Sequence, residues 1–286
     1  RSTASRKAGS VSFLYVARNE SHPWLSAAND DCVRRGQRAA AIMSEEAPPL
    51  NLAGGLDVAA IARVYASVGR VHIRPILSEP AAERIYRCLV KEIPWQVQLN
   101  DGDRSISRDG ASFDALSEAD RARVMESVYA GAARGFQYIF NNFSLSDLSE
   151  HREFRELYVM RVLEFLNAPP FLEFVRKITG VPSIALVDAQ ATLYRPGHFL
   201  TRHDDTAHGK KRVAAYVLNF TPRWQVDWGG ILQFIDRDGH VAEGYTPVFN
   251  ALNLFKVPQP HVVSLVAPYA QAGRYSITGW LREAGP

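Results

Sequence analysis

Cysteine is almost missing from this chain: Cys32 and Cys88 are the two among 286 residues, without a paired spacing and without a Cys-x-x-Cys motif. That argues against a disulfide framework and against a thiolate zinc site. It suits a reducing compartment, here expected to be the cytoplasm. Long hydrophobic runs are missing too. Val11 to Ala17, the longest near the start, is broken by Ser12 and falls far short of the roughly 20 residues that span a bilayer. No signal peptide is visible. Nor is there a strong excess of charge. The net charge is +3, and residues 1–42 carry seven Lys/Arg against three acids, so the remainder is close to neutral. A basic surface for nucleic acid is not indicated.

Residues 1–42 also lack sustained periodicity. The chain starts at Arg1, whereas Met43 opens Met-Ser-Glu-Glu-Ala-Pro-Pro. We read 1–42 as a disordered or non-native extension and 43–286 as one domain. At 47% hydrophobic residues, that length can bury a sizeable core.

What is present is a constellation of metal-ligating types. In Leu200 to Asp205, an extended backbone would put His203 and Asp205 on one face and Asp204 on the other, although a bulge would reverse that choice. His198, an odd number of residues from His203, should face away, and His208 lies in a Gly-Lys-Lys loop. His261 follows the stiff Val257-Pro-Gln-Pro260 and opens an alternating run. Two imidazoles and a carboxylate make the facial triad that suits non-haem Fe(II). Thirteen residues later, Arg274 begins Arg-Tyr-Ser-Ile-Thr-Gly-Trp, with Arg274, Ser276 and Thr278 on one strand face. An arginine on an inward face needs an anion, and a guanidinium fork matches a carboxylate. The same triad could hold catalytic zinc in a hydrolase, and a barrel without catalysis could bind a ligand. A hydrolase, however, has no use for a dicarboxylate anchor at Arg274.

Together with Gln190-Ala-Thr-Leu-Tyr194, Tyr216-Val-Leu-Asn219, Trp228-Gly-Gly-Ile-Leu-Gln-Phe234 and Pro247-Val-Phe-Asn250, these residues resemble the prolyl-4-hydroxylase-like Fe(II)/2-oxoglutarate oxygenases. Within them the likeness is to the branch that hydroxylates ribosomal proteins. It covers Val181 to Leu281, about a third of the chain. The resemblance implies His203, Asp205 and His261 as iron ligands and as the catalytic centre. It implies Arg274 for the distal carboxylate of 2-oxoglutarate, with Ser276 and Tyr194 beside the cosubstrate. A second cosubstrate tyrosine of some relatives would fall near Val217, where it is missing, and Tyr216 receives no role. The implied reaction is hydroxylation of an unactivated C–H with O2, releasing succinate and CO2, with ascorbate as a further expected cofactor. The expected substrate is a prolyl residue in a protein or peptide, a small molecule being the alternative. The oligomeric state is left open.

The fold expected is α+β: a double-stranded β-helix (jelly-roll) core over 181–283, supported by N-terminal helices over 57–180, with early strands such as Arg70 to Ile76 joining the sheet. Helices are expected at Asp57–Gly69, from Pro80, after the Ser117 capping box, at Arg152–Leu166 and at Pro170–Ile178. Trp95–Leu99 and Arg212–Phe220 read as strands, with a hairpin turn at Asp236–Gly239. Asn100–Ser112 reads as a polar loop able to lie over a site. Aromatics in Gly135–Phe140, together with Trp224 and Trp228, either line a groove or pack. Arg195, Arg202, Lys210, Lys211 and Arg212 crowd the metal motif, either as an attraction for acidic partners or as solvated charges.

Overall fold

A computed structural model describes residues 47–284 apart from His208. The reading of residues 1–42 and the placement of His208 therefore lie outside the described residues. No described helix is long and apolar enough to cross a membrane.

Sequence signals account for the helices. Helix α1 (Val58–Val68) begins where the Asp57 carboxylate accepts from the Ala60 amide and ends at Gly69 in the left-handed conformation, the pairing of an Asx cap with a C-terminal glycine. Helix α2 (Glu79–Lys91) carries Pro80 in its first turn and buries Ala82, Ile85, Cys88 and Leu89. Its buried Arg84 holds Glu92 at 2.7 Å. Short α3 (Gly110–Asp114) is capped by Asp109, and α4 (Glu118–Ala132) by Ser117, whose hydroxyl accepts from the Asp120 amide. After α5 (Leu145–Leu148), the helix expected over Arg152–Leu166 is broken. Arg152–Phe154 is a 3₁₀ turn, and α6 starts only at Tyr158, running to Leu166. Helix α7 (Pro169–Thr179) ends at Gly180, also left-handed.

The strands form one continuous sheet: β1 (Arg70–Ile73), β2 (Gln96–Asp101), β3 (Arg104–Asp109), β4 (Tyr138–Ser144), β5 (Ile184–Val187), β6 (Gln190–Tyr194), β7 (Phe199–His203), β8 (Arg212–Asn219), β9 (Leu232–Ile235), β10 (Val241–Tyr245), β11 (Ala251–Lys256), β12 (His261–Val263) and β13 (Arg274–Glu283). The order is β1-β11-β8-β13-β6-β4-β7-β12-β9-β10, with β2 on β4, β3 on β2 and β5 on β13. It curls into a nearly closed antiparallel jelly-roll barrel, and the early strands do enter it. Besides the broken helix, one further reading needs correction. The polar loop expected at Asn100–Ser112 is mainly hairpin β2–β3, paired from Gln96↔Asp109 to Asp101↔Arg104. Its outer strand β3 is almost wholly exposed, so it carries no apolar alternation to betray it. Strand β4 continues the aromatic run after Gly135 and was not anticipated as a strand.

Each strand has two different faces. On the outer one, Ala191, Leu218, Leu252, Leu254, Ile277 and Leu281 pack with helix residues such as Ile85, Leu89, Val162, Phe171 and Val175 into the main core. The inner face encloses two smaller apolar clusters. One gathers Tyr138, Phe140, Tyr194, Val263 and Val266, with Trp224 and Trp228 at its edge. The other gathers Ala215, Val217, Leu232, Phe234 and Phe255.

Candidate metal and cosubstrate site

The inner face between those clusters holds the chemistry. In the β7–β12 ladder, His203 and His261 are directly opposed, and their rings lie 4.1 Å apart between centroids. Asp205 completes the group: its Oδ1 is 3.6 Å from Nε2 of His203 and its Oδ2 3.5 Å from Nε2 of His261. Donors at such separations share a point about 2 Å from each, the bond length of a first-row metal to imidazole or carboxylate. Nδ1 of His203 lies 2.9 Å from the Thr201 carbonyl, and Nδ1 of His261 lies 2.8 Å from the Gln259 carbonyl. A carbonyl can only accept, so both Nδ1 atoms carry the proton and both Nε2 lone pairs face Asp205. Burial, then the charge of His203, pull the His261 pKa down to about 4 against the attraction of Asp205. His261 is therefore an open donor at neutral pH rather than one half of an ion pair. The residues present fit a divalent metal.

Asp205 reaches this place by a route the sequence did not show. Strand β7 stops at His203, and Asp205 sits at φ 63°, so its position comes from a left-handed turn and not from two-residue alternation. Aspartate tolerates that conformation better than most residues. Two contacts support the turn. Asp204, exposed as expected, accepts from the Thr206 amide, and Arg212 donates to the Asp205 carbonyl at 3.0 Å. The Arg212 guanidinium lies 3.6 Å from the centroid of the Trp280 ring. His198 stays apart from the triad, fully enclosed, its pKa lowered to about 4 by burial and by Arg195.

Across the barrel, Arg274 pairs in register with Tyr194, and its guanidinium carbon is 5.1 Å from the tyrosine ring centroid. Arg274 is 1% exposed. No carboxylate pairs with it among the described residues, and its Nε has no hydrogen-bond partner. Burial pulls its pKa down, yet a guanidinium stays charged, so an anion is needed to make this arrangement affordable. Ser276, one step along the same face, is 2.8 Å from the Thr192 hydroxyl. Tyr194 is enclosed, its phenol pushed up by burial, and stacks on Phe140 at 5.3 Å.

Several neighbours were invisible or ambiguous in the sequence. Phe136 meets His203 edge-on at 5.8 Å, so the aromatic run after Gly135 does reach the triad. Trp224 and Trp228 pack edge to face at 5.3 Å, with the Trp224 indole donating to the Gly229 carbonyl at 2.8 Å. The Trp-Gly-Gly motif has a steric reason: Gly229 is at φ +66°, and a Cβ there would lie 2.0 Å from the Leu265 carbonyl oxygen. Tyr216 turns to the helical core, donating to the Asp188 carbonyl at 2.9 Å. Of the basic cluster, Arg195 binds Asp114 at 2.9 Å and Arg212 the Asp205 turn, while Arg202, Lys210 and Lys211 are exposed.

Comparison with known proteins agrees with this arrangement. Residues 189–282 match the family described as the 2OG-Fe(II) oxygenase superfamily. That stretch resembles 2OG-Fe(II) oxygenase domains. The chain is similar to the curated protein prolyl 3-hydroxylase OGFOD1 of Mus musculus, with 29% identity over 145 residues, 48% of this chain and 26% of that protein. It thus spans about a quarter of the length of that relative. In fold, the chain is similar to a prolyl-4-hydroxylase of Pseudomonas putida, with TM-score 0.51, 18% identity, and 80% of this chain and 100% of that one covered. It is also similar to a Trichoplax adhaerens prolyl hydroxylase solved with a hypoxia inducible factor peptide fragment, with TM-score 0.53, 13% identity, and 92% and 94% covered.

Proposed function

We propose that this protein is an Fe(II)- and 2-oxoglutarate-dependent oxygenase that hydroxylates a prolyl residue of a protein or peptide. The observation that carries the reading is Arg274: a buried cation without a counter-ion among the described residues, inside the same barrel as two imidazoles and a carboxylate converging on one point. A zinc hydrolase would explain the triad and leave the arginine without purpose.

His203, Asp205 and His261 would hold the iron, and Arg274 the distal carboxylate of 2-oxoglutarate, with Ser276 and Tyr194 beside it. When bound, the iron and cosubstrate supply the oxidising power, consuming O2 and releasing succinate and CO2 as a C–H becomes C–OH. The chain's own contributions are positional. Thr201 and Gln259 carbonyls fix the two imidazole tautomers, and Arg212 fixes the Asp205 turn. Phe136, Tyr138 and Phe140 make an aromatic wall that keeps water from the reacting groups. Phe136, beside His203, offers an apolar surface to a pyrrolidine ring. Support for a prolyl substrate comes from the name of the mouse relative and from the peptide-bound neighbour. The motif likeness favours position 4 of the ring.

The test is anaerobic titration of the protein with Fe(II) and 2-oxoglutarate, followed by the visible metal-to-ligand charge-transfer band. The parent should show the band, His203→Ala should lose it, and Arg274→Ala should need far more cosubstrate. A folded, metal-replete parent without a band sinks the reading. Prolyl peptides incubated aerobically with ascorbate as reductant should then gain one oxygen by mass, and NMR of the product assigns the ring position.

A further inference from the structure

The two ends of the sheet order, β1 and β10, have no ladder between them among the described residues. Side chains close the barrel at this seam, and register fixes their level. Across β7, β12, β9 and β10, His203 opposes His261, His261 opposes Phe234, and Phe234 opposes Glu243. Across β13, β8, β11 and β1, Trp280 opposes Ala215, Ala215 opposes Phe255, and Phe255 opposes Arg70. Directly opposed residues share a face. The first row starts at the metal-ligating imidazoles, and the two rows end at the seam on a glutamate and an arginine.

Those ends meet. Nε of Arg70 donates to the Glu243 carboxylate, and the guanidinium carbon lies 4.9 Å from the centroid of the Phe234 ring. Burial, then a hydrogen bond to Glu243, push the Tyr245 phenol up, so the same carboxylate meets two donors. With side chains 15% and 38% exposed, the pair is partly shielded and attracts more strongly than a fully solvated one. Behind it the rings stand in series. Phe234 meets Phe255 edge-on at 5.1 Å, and Phe255 meets His261 edge-on at 4.7 Å. One hydrogen bond at Nδ1 does not fix the tilt of the His261 ring, so this aromatic packing does. At the far end of the second row, Arg212 packs on Trp280 and donates to the Asp205 carbonyl, which returns the circuit to the triad. Two residues along each seam strand, His72 and Tyr245 make a separate contact, with rings 5.3 Å apart.

We propose that the Arg70–Glu243 pair is the clasp of a belt of side chains around the metal site. Both are positioning residues: the clasp holds Phe234 and Phe255 against His261 and thereby sets how tightly the triad keeps its metal. The proposal rests on reading the triad as a divalent-metal site and adds residues that reading does not use.

The test is calorimetric titration of the metal-free full chain with Mn(II), without cosubstrate, beside the visible ligand-field spectrum of the Co(II)-loaded protein. The variants are Glu243→Gln, which is nearly isosteric, Arg70→Met, and Arg70→Lys, which keeps the charge. His72→Asn is the control, because it removes a contact at the same seam but off the row of the metal ligands. Glu243→Gln and Arg70→Met should each weaken Mn(II) binding about three- to tenfold and shift the Co(II) bands. That is less than the roughly 10–100-fold typical of groups bonded to a ligand itself. Arg70→Lys should recover most of the loss, and His72→Asn should keep parental affinity and bands while lowering the thermal midpoint. Unchanged Mn(II) affinity in Glu243→Gln and Arg70→Met would mean a purely structural clasp and overturn the proposal, with the metal site intact. Arg70→Lys as weak as Arg70→Met would overturn it by removing the ion pair as the cause. Equal weakening by His72→Asn overturns it too, since the effect would not follow the row. A folded parent that binds no divalent metal brings down this proposal and the oxygenase reading together.

Discussion

The two faces of β13 teach opposite lessons about what the same strand is for. On one side Ile277 and Leu281 are fully buried in hydrocarbon, against the helices. On the other, Arg274 and Ser276 are equally buried, with Arg274 Nε and the neighbouring Asn219 Oδ1 left without hydrogen-bond partners among the described residues. Burial is common to both, but among the described residues the outer face finds all its partners, whereas Arg274 on the inner face has no carboxylate to meet. The outer face stabilises the barrel by packing. The inner one gives up stability to keep donors ready for a ligand.

Substitutions on the two faces should therefore fail in different assays. The largest effect is expected at Arg274→Met. Cosubstrate affinity should fall by at least two orders of magnitude, while the thermal midpoint of the ligand-free protein stays the same or rises, because an unpaired buried charge has been removed. A clear fall in that midpoint would show that the guanidinium has an internal partner after all. Next comes Ile277→Ala, one residue beyond Ser276 and facing the other way. It should cost about 2–5 kcal/mol in denaturant unfolding, with the cosubstrate affinity of the remaining folded fraction nearly unchanged. A loss of affinity without a loss of stability there would collapse the distinction between the faces.

A smaller effect sharpens the comparison at the rim. His198 has a folded pKa of about 4, below its ordinary 6.5, so protonation favours the unfolded chain. Its neutral form costs no stability above about pH 6.5, and stability is lost as pH falls from there toward 4, by at most about 3 kcal/mol. His261 has the same sign. His198→Gln should accordingly flatten the acid limb of a stability–pH curve in part and not wholly. An unaltered limb would show that His198 is not held neutral.

The convergence of His203, Asp205 and His261 was legible from residue types and order, and the inward placement of Arg274 from the alternation of its strand. The path to Asp205 was not. Two-residue alternation singled out the carboxylate that lies beside the two imidazoles, but not how it gets there, since β7 ends at His203 and a left-handed turn does the placing. The jelly roll could be anticipated from short apolar runs, and α1 and α7 from their caps and glycines. Hairpin β2–β3 could not, because β3 is an exposed edge with polar residues on both sides. The meeting of Thr192, Ser276 and Asn219 was hidden for another reason: each is an ordinary polar residue in an apolar strand until the register brings β6, β13 and β8 side by side, and register between distant segments is not written in local pattern.

The left-handed turn at Asp205 also shapes which descendants of this site are accessible. At φ 63°, glycine would occupy the position at ease, whereas alanine would carry roughly 1–2 kcal/mol of backbone strain. Removing the carboxylate as Asp205→Gly should therefore preserve the chain path between His203 and the Arg212 contact, and leave a ligand-sized gap between two oriented imidazoles. Added formate should restore metal binding in Asp205→Gly at lower concentration than in Asp205→Ala. A single substitution thus separates a site with three protein donors from one with two donors that admits an outside anion in place of the third.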